Sequence, residues 1–219
     1  MEAILSPGEA HIPFSIALDV NALSESQLEK FTKKLYFFWE RIQEKPRFSQ
    51  LLELGFADGS GSEAILPFSP VELQKLPTPN ADPDATLLRT VEQALVSLRE
   101  RLDAYDYFGV PYLRPILVLF AGETLEKDND DIKQITDLLL EEDERSRLLI
   151  FFMTFTILED NIATKLPGHT FPVNPDTFEN VFEQLLEYLR NVHPSVNSGN
   201  SLLGISASNP QSSLSDTIM

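Results

Sequence analysis

The strongest indication of the fold is the segment Ile12-Pro13-Phe14-Ser15-Ile16-Ala17-Leu18-Asp19-Val20-Asn21-Ala22-Leu23. Its nearly continuous apolar run ends in a carboxylate and an amide, Asp19 and Asn21, just before a helix signal. Such a run is typical of a strand that is buried on both faces of a parallel sheet. In open α/β sheets, ligands bind outside the carboxyl ends of the strands, where the strand order reverses. The stretch therefore predicts a central strand that places Asp19 and Asn21 where recognition or chemistry occurs.

The composition predicts one acidic domain. The chain has 219 residues, of which 42% are hydrophobic, and 34 acidic residues against 17 basic ones give a formal charge of -17. This charge repels nucleic acid and anionic lipid, so it disfavours both as partners. The chain has no cysteine, which excludes disulfides, thiolate catalysis and zinc–cysteine sites. No apolar run reaches the roughly 20 residues that cross a bilayer, so we expect a cytoplasmic protein without a membrane partner.

The pattern after the first strand predicts a capped helix and then a hairpin. Ser24 and Gln27 have the spacing of a capping box, and apolar residues recur at helical spacing until Pro46. Residues 48–57 are predicted to form a strand that pairs antiparallel with residues 63–68. Pro67 cannot donate to a ladder, so this second strand is predicted to lie at the sheet edge.

The remaining sequence alternates between helix and strand patterns. The predicted elements are a helix capped at Asp82-Pro83, an aromatic connection over 103–115, a strand over 116–122, an acidic helix after 128, strands over 148–156 and 171–173, and a helix capped at Asn174-Pro175. This order predicts an α/β fold with a mostly parallel central sheet, one antiparallel edge strand and helices on both faces.

The ends of the chain differ in composition from the middle. Residues 1–10 are interpreted as an N-terminal extension, residues 11–192 as the domain, and residues 193–219 as a flexible tail rich in Ser and Asn. Leu202, Leu203 and Ile205 stand in that polar tail and are candidates for docking on a partner. A passive spacer is the other interpretation, and the sequence leaves both open.

Several short strings over residues 10–192 resemble one family. They are the strand that ends at Asp19, the helix start Thr86-Leu87-Leu88, the string Tyr112-Leu113-Arg114-Pro115 before a strand that stops at Gly122, and the closing helix after Phe171. In this order and spacing they resemble a von Willebrand factor A (vWA) domain, particularly the bacterial TerY-like branch of tellurium-resistance stress operons. The resemblance implies a Rossmann-like vWA fold and a non-catalytic interaction module.

The family's metal-ion-dependent adhesion site (MIDAS) uses an Asp-x-Ser-x-Ser loop, a threonine from a second loop and an aspartate before a glycine. Those oxygens complete an octahedral shell for magnesium. In the order of that motif, the matching positions here hold Asp19, Asn21, Leu23, Thr86 and Ala121. Because two oxygen donors are missing and one is altered, the resemblance implies a degenerate site and no cofactor. The weaker alternative is Mg²⁺ bound by Asp19, Asn21 and Thr86.

Three interpretations of the strand ends stay open beside the metal site. The polar side chains cap the neighbouring loop and helix, or they form a polar surface that binds a partner, or Asp19 serves a metal-dependent or phosphatase-like hydrolase. Asp19-Val20-Asn21 mimics the Asp-x-Asp of such phosphatases, but Asn21 cannot be a general acid. The surface interpretation comprises the residues Asp19, Asn21, Thr86, Gly122, Glu123 and Thr124.

Other polar and aromatic residues carry no catalytic assignment. His11, His169 and His193 are far apart in sequence and are predicted to lie in loops or on the surface, and the acidic run 141–144 is predicted to be a solvated face. The aromatic connection is predicted to lie at the opposite end of the sheet from Asp19. Its aromatic side chains either pack within the loop or form a surface that binds a partner. They are Tyr105, Tyr107, Phe108 and Tyr112.

Together these observations predict a protein-interaction adaptor rather than an enzyme. The family resemblance implies a bacterial stress-response, signalling or defence system. The expected partner is a protein, either a kinase, phosphatase or ATPase from the same operon or a second copy of the chain.

Overall fold

The protein is built around one six-stranded sheet. The computed structural model describes residues 10–61, 63–122, 130–155, 166–178 and 180–192. The strand order in this part of the chain is β3-β2-β1-β4-β5-β6, and only the edge strand β3 runs antiparallel to its neighbour. The strands are β1 (Ile12–Leu18), β2 (Leu52–Ala57), β3 (Leu66–Pro70), β4 (Ile116–Ala121), β5 (Leu149–Thr154) and β6 (His169–Pro172). The predicted fold class is confirmed.

Helices cover both faces of the sheet. They are α1 (Glu25–Gln43), α2 (Pro46–Leu51), α3 (Leu87–Phe108), α4 (Asp130–Ser146) and α5 (Val181–Val192). One core cluster joins α1, α2 and α5 to one face, and a second joins α3 and α4 to the other. Neighbouring residues of the central strands face opposite clusters, which is why these strands have apolar residues throughout rather than alternation. None of the described helices combines the length and apolarity needed to cross a bilayer.

The start of α1 follows the predicted capping box. The Gln27 N–H donates to Ser24 Oγ at 3.4 Å, and the Ser24 N–H donates to Gln27 Oε1 at 3.0 Å. These bonds satisfy two backbone donors that a helix start otherwise leaves without partners. The apolar positions of α1 are buried against the sheet, as the helical spacing predicted: Leu28, Phe31, Leu35, Phe38 and Ile42.

The predicted strand over 48–57 is wrong in its first half. Residues Pro46–Leu51 form α2, with the proline in the first turn, and the strand begins at Leu52. Proline suits a first helical turn because it needs no donor there, so Pro46 begins a helix as well as following one. The hairpin itself is confirmed, since β2 pairs antiparallel with β3 and Pro67 lies at the sheet edge.

Of the two starts that the sequence indicates for α3, the cap at Asp82-Pro83 is wrong and the start at Thr86-Leu87-Leu88 is confirmed. Asp82-Pro83 forms a turn, in which Asp82 Oδ1 accepts the Asp84 N–H at 3.0 Å, and Thr86 caps the helix instead. At its other end α3 continues through the predicted aromatic connection to Phe108 and stops at Gly109, whose φ of 66° is left-handed. The helix runs on because Tyr105 extends the buried stripe by another turn.

The last helix begins later than its sequence signal. Asn174 Oδ1 accepts the Asp176 N–H at 2.8 Å, which makes a turn, and Phe178 and Asn180 then adopt positive φ angles of 47° and 65°. These left-handed residues cannot belong to an α-helix, so α5 starts only at Val181.

Candidate functional site

The strand order reverses between β1 and β4, and the predicted site residues surround that point. β1 pairs with β2 on one side and with β4 on the other. Asp19 follows β1 directly, and its N–H donates to the Phe120 carbonyl at 2.9 Å. Its side chain is buried, with 4% of its surface exposed. The carboxyl end of β1 is therefore tied to β4 up to the residue that carries the carboxylate.

A tight turn closes the crevice at this point. Residues Val20–Ala22 form one turn of 3-10 helix immediately after Asp19. A Cβ built on Gly122, at the end of β4, would lie 2.6 Å from the Cβ of Ala22. Real Cβ atoms do not approach so closely, so a glycine is needed where the two strand ends meet. Ala22 thus packs against the end of β4, at the point where open α/β sheets usually bind ligands.

Asn21 and Thr86 have hydrogen-bond partners within the loops. Asn21 Nδ2 donates to the carbonyl oxygens of Asp82 and Ala85, both at 2.8 Å. Thr86 Oγ1 accepts the Arg89 N–H at 3.2 Å and so caps α3. The structure therefore brings Asp19, Asn21 and Thr86 to one end of the sheet. Asn21 links the end of β1 to the loop before α3, whereas Thr86 caps α3 itself.

A second polar loop at this end was missed by the sequence reasoning. Asp58 follows β2 and is buried, and its Oδ1 accepts both the N–H and the hydroxyl of Ser60, at 3.0 and 2.5 Å. Gln93 of α3 holds the same loop, since its Oε1 accepts the Gly59 N–H at 3.0 Å and its Nε2 donates to the Ser60 carbonyl at 2.8 Å.

The sequence does contain a signal for this loop. Asp58-Gly59-Ser60-Gly61-Ser62 has the Asp-x-Ser-x-Ser spacing, one strand later than the position at which the family resemblance places it. In the predicted hairpin these residues are only the connection between the two strands. In the structure the aspartate turns back onto its own loop, and Ser62 lies outside the described residues.

The donor set at the end of β1 and β4 does not fit magnesium. Leu23 and Ala121 provide no side-chain oxygen at two of the motif positions, and Thr86 Oγ1 already accepts a helix N–H. Mg²⁺ requires near-ideal octahedral oxygen coordination, which these residues cannot complete. Within the described ranges no three His, Cys, Asp or Glu residues cluster as a metal site would require. That the protein binds no metal stays a prediction.

Other members of the predicted sites lie outside the described residues. Glu123 and Thr124 follow the described end of β4, and the tail residues Leu202, Leu203 and Ile205 follow α5. Their assigned roles stay predictions from sequence.

The amino end of the sheet holds a buried ionic cluster. Glu53 of β2 is fully buried, Arg101 Nη2 of α3 lies 2.6 Å from its Oε1, and the Arg101 Nε contacts its Oε2. The guanidinium carbon of Arg101 is 4.8 Å from the ring centroid of Tyr105. Burial raises the pKa of Glu53, but the contacts with His11 and Arg101 outweigh it and hold that pKa below its usual value. Burial likewise raises the pKa of the Tyr105 phenol.

The surface placement predicted for His11 is wrong. Its side chain is 3% exposed, its Nδ1 is 3.0 Å from Glu53 Oε1, and its ring centroid is 5.5 Å from that of Tyr105. The backbone explains this, because the His11 N–H donates to the Pro111 carbonyl at 2.8 Å and draws the residue under the loop that follows α3. The partners come from distant parts of the chain, so the local sequence carries no signal for the cluster.

The acidic run of α4 also departs from its prediction at one residue. Glu142 is fully buried and pairs with Arg99 of α3, whereas its neighbours Glu141 and Glu144 are exposed. Helical geometry turns this one position of the run towards α3. The run is therefore a solvated face except at Glu142, which joins two helices.

Some of the aromatic residues at the amino end of the sheet are buried and others are exposed. Tyr105 is buried and stacks on Tyr112 with ring centroids 5.2 Å apart. Tyr107 and Phe108 end α3 with 84% and 65% of their surfaces exposed. They lie at the opposite end of the sheet from Asp19, as the sequence predicted.

Comparisons with known proteins find a likeness in structure but none in sequence. No protein-family model matches the chain, and no curated protein matches its sequence. Among solved structures it is similar to the N-terminal domain of TFIIH p34, with a TM-score of 0.51 and 13% sequence identity over 84% of this chain and 98% of that chain. At this level of identity, what the likeness shows is the fold, and the chain has a vWA-like fold.

Proposed function

We propose that this chain is a non-catalytic interaction module that binds a protein partner. The observation that carries the proposal is the bonding of Asn21, whose amide nitrogen fastens the loop before α3 to the end of β1. An Asp-x-Asp phosphatase needs an acid at this position, and Asn21 is instead a donor to two carbonyl oxygens. Because the Asp19 side chain is almost completely buried, this end of the sheet suits a binding surface better than a reaction centre.

The fold supports an interaction role. The present chain shares its vWA-like architecture with the N-terminal domain of TFIIH p34. The proposed contact surface is the carboxyl end of the sheet, where Asn21, Asp84 and Thr86 are exposed on fastened loops. A pre-ordered surface loses little conformational entropy on binding, which favours affinity. Of the residues that the sequence assigns to this surface, Asn21 and Thr86 are exposed, Asp19 and Gly122 are buried beneath them, and Glu123 and Thr124 lie outside the described residues.

The narrower assignment rests on the family resemblance of short strings alone. On that basis we propose a cytoplasmic adaptor of a bacterial stress-response or defence system. Its partner would be a kinase, phosphatase or ATPase from the same operon, or a second copy of the chain. Leu202, Leu203 and Ile205 are proposed as a docking segment for that assembly, so deletion after His193 is expected to weaken assembly without changing the melting temperature.

The hydrolase alternative is tested by measuring turnover. Purified full chain is assayed with phosphomonoester and nuclease substrates, with and without divalent cations, beside Asp19→Ala. The proposal predicts no turnover above the background in either protein. Hydrolysis by the wild type that Asp19→Ala abolishes would show that the chain is an enzyme.

The interaction surface is tested by charge reversal with a matched control. Tagged full chain captures partners from its native host, and the strongest partner is then purified for affinity measurements. Asp84→Arg changes an exposed residue at the proposed surface, whereas Asp137→Arg changes an exposed residue of α4. We expect weaker binding from Asp84→Arg and from Glu123→Lys, with Asp137→Arg unchanged. Equal affinities for all three, with a loss on Tyr107→Ser, would place the interface at the amino end.

A further inference from the structure

A groove runs along the outer side of α1. Its volume is about 510 Å³, and its second wall is the connection before α3, which includes Pro79. The Tyr36 hydroxyl donates to the Leu76 carbonyl at 3.0 Å, so this connection is fastened to the helix. This hydrogen bond holds the two walls of the groove next to each other in the folded protein.

The lining of the groove is mostly apolar. Leu28 and Pro79 are buried beneath it, and Tyr36 contributes its half-buried ring. Phe37 lies at the rim with 46% of its surface exposed, whereas most of the other large hydrophobic residues of α1 are buried. Exposed apolar surface that is concave and edged by charge is a common feature of protein-binding sites.

The rim of the groove carries an excess of negative charge. Glu25, Glu29 and Glu40 line it with a single cation, Lys33, and the Lys33 ammonium is 2.6 Å from the Glu29 carboxylate. Within the described part of the chain, Glu25 and Glu40 have no ion-pair partner. The lining therefore has a net negative charge, although Arg41, whose guanidinium carbon is 5.8 Å from the Phe37 ring centroid, adds a cation beside the Glu40 end.

From this arrangement we infer that the groove binds a cationic, amphipathic peptide segment of a partner protein. Its apolar side chains occupy the floor beside Tyr36 and Phe37, and its Lys or Arg residues face Glu25 and Glu40. Complementary charge gives such a contact its specificity, and burial of the apolar side chains gives it affinity. A second copy of this chain is a poor occupant because both molecules carry a charge of -17.

The inference is tested with synthetic peptides and matched variants of the full chain. The probe is a fluorescein-labelled peptide of alternating lysine and leucine pairs, titrated at physiological salt and followed by anisotropy. Two comparison peptides replace lysine with glutamate or leucine with serine. We expect binding of the lysine–leucine peptide and no measurable binding of either comparison peptide.

The paired variants separate the groove from the general charge of the chain. Glu25→Gln with Glu40→Gln removes two rim charges, and Glu92→Gln with Glu100→Gln removes two exposed charges from α3 on the other face. Loss of two exposed charge contacts is expected to weaken binding about fivefold for the groove pair. The α3 pair is expected to change affinity less than twofold, and Phe37→Ser to weaken binding without lowering the melting temperature.

Each contrary outcome overturns the inference. Equal losses for the two variant pairs would show attraction by net charge, and equal binding of the serine peptide would show that the apolar floor is not used. A dimer of the unliganded chain that the peptide dissociates would assign the groove to a second copy. None of these outcomes depends on Asp84→Arg, so failure here is distinguishable from failure of the proposed carboxyl-end surface.

Discussion

The two ends of the sheet use their polar residues differently. At the carboxyl end, Asn21 donates to two carbonyl oxygens of the loop before α3, and Thr86 accepts a backbone N–H in the first turn of α3. At the amino end, Glu53 and Arg101 pair with each other inside the protein. Loss of a hydrogen bond of the first kind lowers the stability of the protein moderately. Removal of one partner of the second kind leaves a buried charge without its partner and lowers the stability more. The position of polar residues at strand ends therefore does not by itself reveal a reactive site.

The largest effect is expected at the amino end. Glu53→Ala removes the carboxylate and leaves the Arg101 guanidinium partly buried without its partner. The free energy of unfolding is expected to fall by about 3–5 kcal/mol, the usual cost of breaking a buried pair. Urea unfolding followed by circular dichroism measures it, and Glu92→Ala, an exposed residue of α3, is the control. A loss as small as that of the control would mean that the cluster contributes little to stability.

Lowering the pH tests the contact between Glu53 and Arg101 without a mutation. Because the folded-state pKa of Glu53 is lowered, the unfolded state binds more protons at acidic pH. The stabilisation is present above the unfolded value of 4.5 and is lost as the pH falls through the folded value. Unfolding free energies measured over this range should fall more steeply for the wild type than for Glu53→Gln. If the unfolding free energies of the two proteins fall in parallel, Glu53 does not contribute to the loss of stability at acidic pH.

The crevice between β1 and β4 gives the next effect. Gly122→Ala places a methyl group against Ala22 and is expected to destabilise the fold by about 1–3 kcal/mol through overpacking. Ala22→Gly in the same chain makes room for it, so the double variant should recover stability relative to Gly122→Ala. Thermal melting of the three variants measures this coupling. Additive losses would mean that the two strand ends do not touch.

Local patterns predicted the elements but not the contacts between them. The strand Ile12–Leu18 and the Ser24 cap were recoverable because apolar runs and capping boxes are local in sequence. The start of α3 was indicated at two places, because Asp82 and Thr86 are both good caps. Choosing between them depends on Asn21, which is far along the chain and holds the loop that separates them. His11 was misplaced for the same reason, since its burial depends on Glu53.

Asn21 itself gives a smaller effect. Asn21→Ala removes two hydrogen bonds, one of them exposed, and is expected to lower the unfolding free energy by about 1–2 kcal/mol. Asn21→Asp cannot donate and should lose a similar amount. Asn80→Ala is the control, because its amide donates only to the nearby Thr78 carbonyl. Urea unfolding compares the three variants, and equal stability of Asn21→Ala and Asn80→Ala would show that the loop is held by other contacts.

The smallest expected effect is no change in melting temperature. We propose that the carboxyl end of the sheet is a partner-binding surface and not a metal site. The melting temperature of the full chain is measured with a chelator and with millimolar MgCl₂, beside Asp19→Ala. A ligand at a hundredfold excess over its dissociation constant would stabilise the protein by about 2.7 kcal/mol. We predict the same melting temperature in both buffers for both proteins. A clear rise with magnesium in the wild type, absent from Asp19→Ala, would contradict the account.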